Sequence, residues 1–272
     1  MGLLRRLQTG FRLTGQSAGL LRRNPRFAVL PLVSGLATLV YLVAVLGSTL
    51  LVGDIGSPLV AVGVLFAVYF GTSLLAAFGN AALVYAARES FRGADPTVVE
   101  SLRAAAGHAG ALVVWALASA VVGLVLRAIE SSSDLLGDLV AALLGLAWGA
   151  LTYFVVPVVV FEDAGPVEMF RESGRTVRDI WGEAFGADFT TEAVSLLLVL
   201  PGIAVVAVAL LVPDPTGAGP LLLVGVALAA VGFLFGAALQ GVTKAALYRY
   251  AAEDGSVEGF DEAVLREATG DR

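Results

Sequence analysis

Six long stretches without a charged side chain dominate the hydrophobic pattern of the chain. They cover residues 27–53, 55–87, 104–126, 139–161, 193–213 and 215–243. A helix needs about 20 apolar residues to cross the hydrocarbon core of a bilayer, so each stretch is long enough to span a membrane once. The pattern predicts an all-α membrane protein with six transmembrane helices.

The six spans are expected to form one transmembrane domain over residues 1–252, followed by an acidic cytoplasmic tail at 253–272. The predicted spans are 27–52, 59–87, 109–129, 139–161, 193–212 and 220–245. The ends of the second and sixth spans are alike, Asn80-Ala-Ala-Leu and Lys244-Ala-Ala-Leu. This similarity favours three helical hairpins, each joined to a cytoplasmic surface helix. Chance matching of Ala-rich sequence is the alternative.

Composition supports the membrane class and removes several kinds of chemistry. Hydrophobic residues make up 58% of the chain and charged residues 15%, whereas soluble domains average roughly 45–50% and 25%. The net charge of −6 argues against a nucleic-acid-binding protein, and the absence of cysteine excludes disulfides and thiol chemistry. Sixteen of the 17 cations are arginine, which together with the acidic tail suggests a halophilic host.

The placement of cations predicts the orientation of the spans. With six spans both termini lie on one side, and all cations except Arg127 fall on that side. Short cytoplasmic loops are enriched in Lys and Arg. We therefore expect cytoplasmic termini and a multi-pass protein of the cell membrane.

Two segments between or before the spans have the pattern of amphipathic interfacial helices. In the predicted helix 3–23 an apolar face is formed by Leu3, Leu4, Leu7, Phe11, Ala18 and Leu21. The helix after Pro166 places Met169, Phe170, Ser173, Val177, Ile180 and Trp181 on one face. The cations expected to contact lipid head groups are Arg5, Arg12, Arg23, Arg171, Arg175 and Arg178. Between spans two and three, Thr97 and Glu100 have the spacing of a capping box, and Asp95-Pro96 is an alternative start of the helix.

Small residues predict where the spans pack against each other, since helices in lipid associate where backbones approach closely. Glycines four residues apart occur at 145 and 149 and at 232 and 236, and Gly63, Ala67 and Gly71 form a ridge. Pro157 and Pro201 lie inside spans and should kink them. Pro201-Gly202 is central enough to break the fifth span.

Polar residues at depth are candidates for a ligand or lipid pocket, because an unpartnered polar group is costly in hydrocarbon. The candidates are Asn80, Thr152, Tyr153, Gln240, Thr243 and Lys244. The alternative is that Asn80 and Gln240 hydrogen-bond between helices and that Lys244 reaches the cytoplasmic interface. Arg127 and Glu130 are expected to form a local ion pair, with an external binding site as the alternative.

No catalytic residues, metal site or cofactor are predicted. His108 is the only histidine and is expected at the start of span three, so the chain alone cannot assemble a His-based metal or catalytic pair. No phosphate-binding glycine loop or nucleophile elbow occurs. These patterns argue against an enzyme.

A resemblance rests on about 30 residues at the end of span four and beyond it. These are Val155-Val-Pro-Val-Val-Val-Phe-Glu-Asp163, Gly165-Pro166, Phe170-Arg-Glu-Ser173 and Ile180-Trp-Gly-Glu183. The order resembles a family of uncharacterised prokaryotic six-span membrane proteins. It is also similar in style to the membrane domain of some glycerophosphodiester phosphodiesterases. The resemblance implies a membrane protein with no established activity.

Two hypotheses of function follow. The first is a non-catalytic scaffold that contacts membrane lipids and binds a protein partner through its surface helices and acidic tail. The alternative is a transporter or lipid-handling protein with a polar pocket in the cytoplasmic half of the bundle. No nucleic-acid partner is expected, and the residues do not indicate an oligomeric state.

Overall fold

A computed structural model describes residues 3–52, 57–132, 135–179, 183–212, 214–253 and 257–269. Within these ranges the chain forms helices joined by short turns, and no strand is present. Their α-helices are α1 (Leu3–Arg23), α2 (Val29–Val52), α3 (Pro58–Ser90), α4 (Val98–Gly107), α5 (Ala109–Ser132), α6 (Leu135–Leu151), α7 (Val155–Glu162), α8 (Glu168–Asp179), α9 (Glu183–Leu210), α10 (Pro215–Glu253) and α11 (Glu262–Thr269). A 3₁₀ turn at Pro25–Ala28 precedes α2.

Six segments of the described chain are long and apolar enough to cross a bilayer. They are Pro25–Thr49, Pro58–Ser90, Ala109–Ser131, Leu136–Glu162, Thr190–Leu210 and Thr216–Ala252. Large apolar side chains on these spans lie on the molecular surface, with Leu59 82% and Leu223 75% exposed. So much exposed apolar surface is unfavourable in water and favourable in lipid. The predicted fold class, an all-α membrane protein, is confirmed.

The fourth span is broken into two helices, α6 and α7, by a turn at residues 152–154. Pro157 accounts for the position of this break. In a continuous helix its ring would collide with the carbonyl of Tyr153, four residues earlier, and Pro157 has no N–H to donate. The break therefore comes before the proline, in the turn that contains Tyr153.

The fifth span is continuous, so the prediction that Pro201-Gly202 breaks it is wrong. Helix α9 runs from Glu183 to Leu210 with Pro201 inside it. A β-carbon on Gly202 would collide with the backbone of Ala229, which shows that α10 lies directly against this part of α9. Neighbouring helices allow proline within transmembrane helices, and the close contact with α10 stabilises the helical path here.

One compact unit consists of Met1–Pro31, Ala87–Asp95 and Ile180–Arg272. Its centre is the α9–α10 pair, in which Gly232 lies against the Leu198 carbonyl and Gly236 against Ser195. The predicted packing role of these two glycines is confirmed.

Helix α1 is fixed to this pair by two hydroxyl contacts. The side-chain oxygens of Thr14 and Thr191 are 3.0 Å apart, and those of Ser17 and Thr243 are 2.9 Å apart. The buried face of α1 thus contains Thr14 and Ser17 beside the fully buried Leu13. Phe11, which the sequence places on the apolar face of this interfacial helix, is 55% exposed.

Part of the predicted acidic tail, residues Glu262–Thr269, forms helix α11. Helix α11 packs against α1, α9 and α10. Its apolar face is buried, including Val264, Leu265 and Ala268. Only the opposite, charged face of α11 remains available to solvent.

The second compact unit consists of Leu32–Ala86 and Pro96–Asp179. The Tyr41 hydroxyl donates a hydrogen bond of 2.7 Å to the Ala67 carbonyl, and its ring covers Gly71. The predicted ridge on α3 therefore contacts α2 at Ala67 and Gly71, whereas a β-carbon at Gly63 would meet open space. Gly145 lies beside Leu126, but Gly149 also faces open space, so only the first of this pair packs.

Helix α4 begins with the capping box that the sequence predicts. The Thr97 hydroxyl accepts a hydrogen bond from the Glu100 N–H, and the Glu100 carboxylate accepts one from the Thr97 N–H. These bonds satisfy two backbone donors at the helix start. The capping box is confirmed.

Candidate functional site

The candidate site is α8 together with the helix junctions that hold it in the second unit. Met169 and Ser173 are fully buried on one face of α8, and Val177 is nearly so. The ring of Phe170 packs on Trp148 of α6, with centroids 5.9 Å apart. The predicted apolar face is therefore buried against α6 and α7 at these positions. Ile180 and Trp181, the last two residues of that face, lie outside the described residues.

Ser173 joins α8 to the break in the fourth span. Its Oγ accepts a hydrogen bond from the Phe154 N–H at 3.1 Å and donates one to the Leu151 carbonyl at 2.7 Å. Leu151 is the last residue of α6, and Phe154 is the last residue of the turn. One buried hydroxyl thus closes the gap in the helix and fixes the position of α8.

The opposite face of α8 carries arginines exposed to solvent. Arg171 pairs with Glu168 at 3.3 Å and Arg175 with Glu172 at 3.6 Å, and both guanidinium-bearing side chains are more than two-thirds exposed. Arg178 is also exposed. The sequence of α8 contains three arginines and three carboxylates, so the helix presents a mixed and nearly neutral charged face.

A second contact fixes the loop before α8. The His108 Nδ1 lies 3.2 Å from the Asp163 carboxylate. His108 is the C-cap of α4, immediately before α5, while Asp163 is the C-cap of α7 in a left-handed conformation with φ of 53°. The pair ties two helix junctions of this unit together. The sequence placed His108 near span three but gave no signal of this partner, because the two residues are far apart in the chain.

Helix α1 differs from α8 in its charge. It contains five arginines and no acidic residue. Arg12 and Arg23 are exposed, as head-group contacts require. Arg5 lies in the same helix, and its side chain is outside the described residues.

The predicted polar pocket is divided between the two units. Asn80, Thr152 and Tyr153 belong to one unit, whereas Gln240, Thr243 and Lys244 belong to the other.

Three of these side chains make contacts within their own unit. The Thr152 hydroxyl donates to the Trp148 carbonyl at 2.8 Å, the Tyr153 ring packs edge-on against Phe154, and the Thr243 hydroxyl contacts Ser17. None of these contacts involves Asn80, Gln240 or Lys244, so the alternative proposed for those three residues also stays a prediction. The shared pocket stays a prediction.

Arg127 forms the predicted local ion pair. Its guanidinium lies 3.3 Å from the Glu130 carboxylate, with both side chains exposed. An exposed pair of this kind contributes little to stability. Among the residues that the structure describes, no group of three His, Asp or Glu side chains could hold a metal ion.

The sequence matches a family of unknown function, DUF6159, over residues 59–259. The match covers α3 from its second residue and every helix from α4 to the end of α10. No curated protein and no solved structure matches the chain.

Proposed function

Because the chain belongs to DUF6159, a family of unknown function, we propose a role from the geometry of its surface helices. The protein is a non-catalytic scaffold of the cell membrane, and α8 binds a protein partner on the cytoplasmic side. The single observation that supports this role is the division of α8 into a buried face and a charged, exposed face.

The buried face makes α8 a rigid element. Two hydrogen bonds to Ser173 and the packing of Met169 determine where the helix lies. A partner that binds a prearranged helix does not have to supply the free energy of ordering it, so binding is tighter. The exposed face can therefore act as a docking surface without a folding step.

The charge of the exposed face favours protein over lipid as the partner. Each arginine near an anionic membrane contributes about 1 kcal/mol of attraction, but Glu168 and Glu172 offset Arg171 and Arg175. A mixed pattern is typical of surfaces that select a partner by complementary charge. Contact of these arginines with lipid head groups stays a prediction.

Several finer features belong to this proposal. Cytoplasmic termini and residence in the cell membrane are supported by the distribution of arginines. The Arg-rich composition supports a halophilic host. The polar pocket and the likeness to phosphodiesterase membrane domains support the alternative of lipid handling only by analogy.

Site-specific photocrosslinking in native membranes tests the scaffold role. A p-benzoylphenylalanine at position 175 should give a discrete adduct heavier than the chain itself, because Arg175 lies on the exposed face. The same residue at position 143 is the matched control, since Leu143 is an exposed apolar residue of α6 and should give no such adduct.

A charge reversal separates specific docking from random collision. Arg171→Glu should lower the yield of the adduct at position 175 several-fold, because it reverses charge one turn away on the same face. Adducts that contain only this chain, or none at all, would contradict the proposal.

A further inference from the structure

The first unit contains an apolar groove between α1 and the α9–α10 pair, with a volume of about 380 Å³. Phe11, Gly15 and Ala18 of α1 line one wall, and this wall ends at Arg22. The other wall consists of Val194 and Leu198 of α9 and Phe235 and Leu239 of α10. We call this feature the α1 groove.

The spacing of the wall residues follows one face of α1. Phe11, Gly15, Ala18 and Arg22 are separated by four, three and four residues, which places them in a line along the helix. At 1.5 Å per residue the line is about 16 Å long. The α1 groove is therefore elongated and apolar, and the cation of Arg22 lies at one end of it.

The walls offer almost no hydrogen-bonding groups to an occupant. Thr14 also lines the groove, but its hydroxyl donates to the Gly10 carbonyl and contacts Thr191. Phe11, Leu198 and Phe235 keep 40–55% of their surface exposed. An apolar occupant would cover these surfaces and gain about 0.8 kcal/mol for each buried methylene.

The cation at the end of the groove has no competing partner in the described chain. Arg22 is exposed, and no described carboxylate forms an ion pair with it. Helix α1 carries five arginines without an acidic residue, so its surroundings attract negative charge. In contrast, Arg171 and Arg175 of α8 are paired with glutamates on their own helix.

We propose that the α1 groove binds one anionic phospholipid of the surrounding bilayer, with an acyl chain against Gly15 and the phosphate at Arg22. Walls from two membrane spans and one interfacial helix place the groove where lipid chains are present. Its volume lies within the range of small-molecule sites, roughly 300–1,000 Å³. This inference is independent of partner binding by α8.

The test uses the full chain in nanodiscs of phosphatidylcholine that contain a small fraction of phosphatidylglycerol. The probe is phosphatidylglycerol with a photoactivatable acyl chain, and the same chain on phosphatidylcholine is the comparison lipid. In the wild type, crosslinks should map to peptides that contain residues 11–22, 194–198 or 235–239. Labelling by the anionic probe should exceed labelling by the comparison lipid.

Two variants and two matched controls decide the result. Gly15→Leu should abolish labelling in the groove, because its side chain enters space where a β-carbon has no heavy atom within 4 Å. Gly149→Leu in α6, where a β-carbon is equally unobstructed, is outside the groove and should leave labelling unchanged. Arg22→Gln should lower the preference for the anionic probe about fivefold, the effect of one cation near an anionic surface, whereas Arg127→Gln, which changes an exposed ion pair of α5, should not.

The proposal fails if Gly15→Leu is labelled like the wild type while circular dichroism shows that both are folded. It also fails if the wild type is labelled equally by the two lipids, because the groove would then hold any acyl chain. Arg22→Gln changes an exposed side chain and should fold normally. If Gly15→Leu does not fold, labelling of Arg22→Gln by the two lipid probes still tests the proposal.

Discussion

At the scale of single residues, one hydroxyl determines how the fourth span and α8 fit together. Ser173 bonds to the Phe154 N–H and the Leu151 carbonyl, which lie on either side of the break before Pro157. The sequence placed Ser173 on the buried face of an amphipathic helix, and that placement is correct. Its two partners could not be predicted, because the sequence does not show whether a proline breaks a span, as Pro157 does, or lies within a continuous helix, as Pro201 does.

We predict that Ser173→Ala lowers the free energy of unfolding by about 2 kcal/mol, because it removes both hydrogen bonds of a fully buried hydroxyl. Ser131→Ala is the matched control. Its hydroxyl bonds to the Ala128 carbonyl of its own helix on an exposed surface, so removal should change stability by less than about 0.5 kcal/mol. Unfolding of both variants in mixed detergent micelles measures the difference, and equal losses would contradict the role of Ser173.

Asp214 gives a prediction of pH dependence at the start of α10. The Thr216 hydroxyl is the main cause that lowers the pKa of Asp214, and the backbone N–H groups of Thr216 and Gly217 add to the effect. The pKa is therefore lower in the folded than in the unfolded chain. The charged carboxylate contributes stability above the unfolded value of about 3.9, and this contribution is lost as the pH falls through the folded pKa.

Asp214→Asn keeps a capping side chain but removes the charge. We expect the melting temperature of the wild type to exceed that of D214N at pH 7, and the gap to close as the pH falls below about 3.9. Thermal melts of both proteins from pH 7 to pH 3 measure the gap. A gap that is constant over this range would show that the carboxylate is not stabilised in the folded chain.

At the scale of elements, helix contacts depend on glycine only where a neighbouring backbone is close. Gly232 lies against the Leu198 carbonyl, whereas Gly149 faces open space. Both glycines belong to the same sequence pattern of small residues four apart. The sequence thus predicted the α9–α10 contact correctly but gave no means to distinguish a used glycine from an unused one.

We predict that Gly232→Ala lowers the free energy of unfolding by about 3 kcal/mol, the upper part of the usual range for overpacking, because its β-carbon would meet rigid backbone. Gly149→Ala should leave the free energy within about 0.5 kcal/mol of the wild type. Denaturation in mixed micelles, followed by circular dichroism, measures both. Similar losses in the two variants would contradict the packing of α9 on α10.

At the scale of the whole molecule, burial in the two longest helices rises towards their carboxyl ends. Residues 81–84 of α3 and 245–248 of α10 are buried, whereas large apolar residues nearer the helix starts are exposed. At 1.5 Å per residue, α3 is about 50 Å long and α10 about 58 Å, against a hydrocarbon core of about 30 Å. Both helices therefore extend beyond the hydrocarbon, and their buried ends bear the sequence similarity at Asn80 and Lys244.

The predicted orientation is tested by reporter fusions at positions 55, 134 and 216. Alkaline phosphatase fused there should be active, because it folds only outside the cytoplasm, and fusions at positions 92 and 172 should be inactive. The physical reason is retention of arginine-rich loops on the cytoplasmic side. The reverse pattern would contradict cytoplasmic termini.

The sequence by itself determined the class of the protein, the number of spans, the bounds of α1 and the capping box at the start of α4. These features depend on local patterns: uncharged runs that match the bilayer thickness, helical periodicity and a capping box. Tertiary structure decided which of those patterns are used. It kept α9 continuous through Pro201, broke the fourth span before Pro157, docked α11 and formed the α1 groove, because each outcome depends on which backbone or side chain from a distant part of the chain lies alongside.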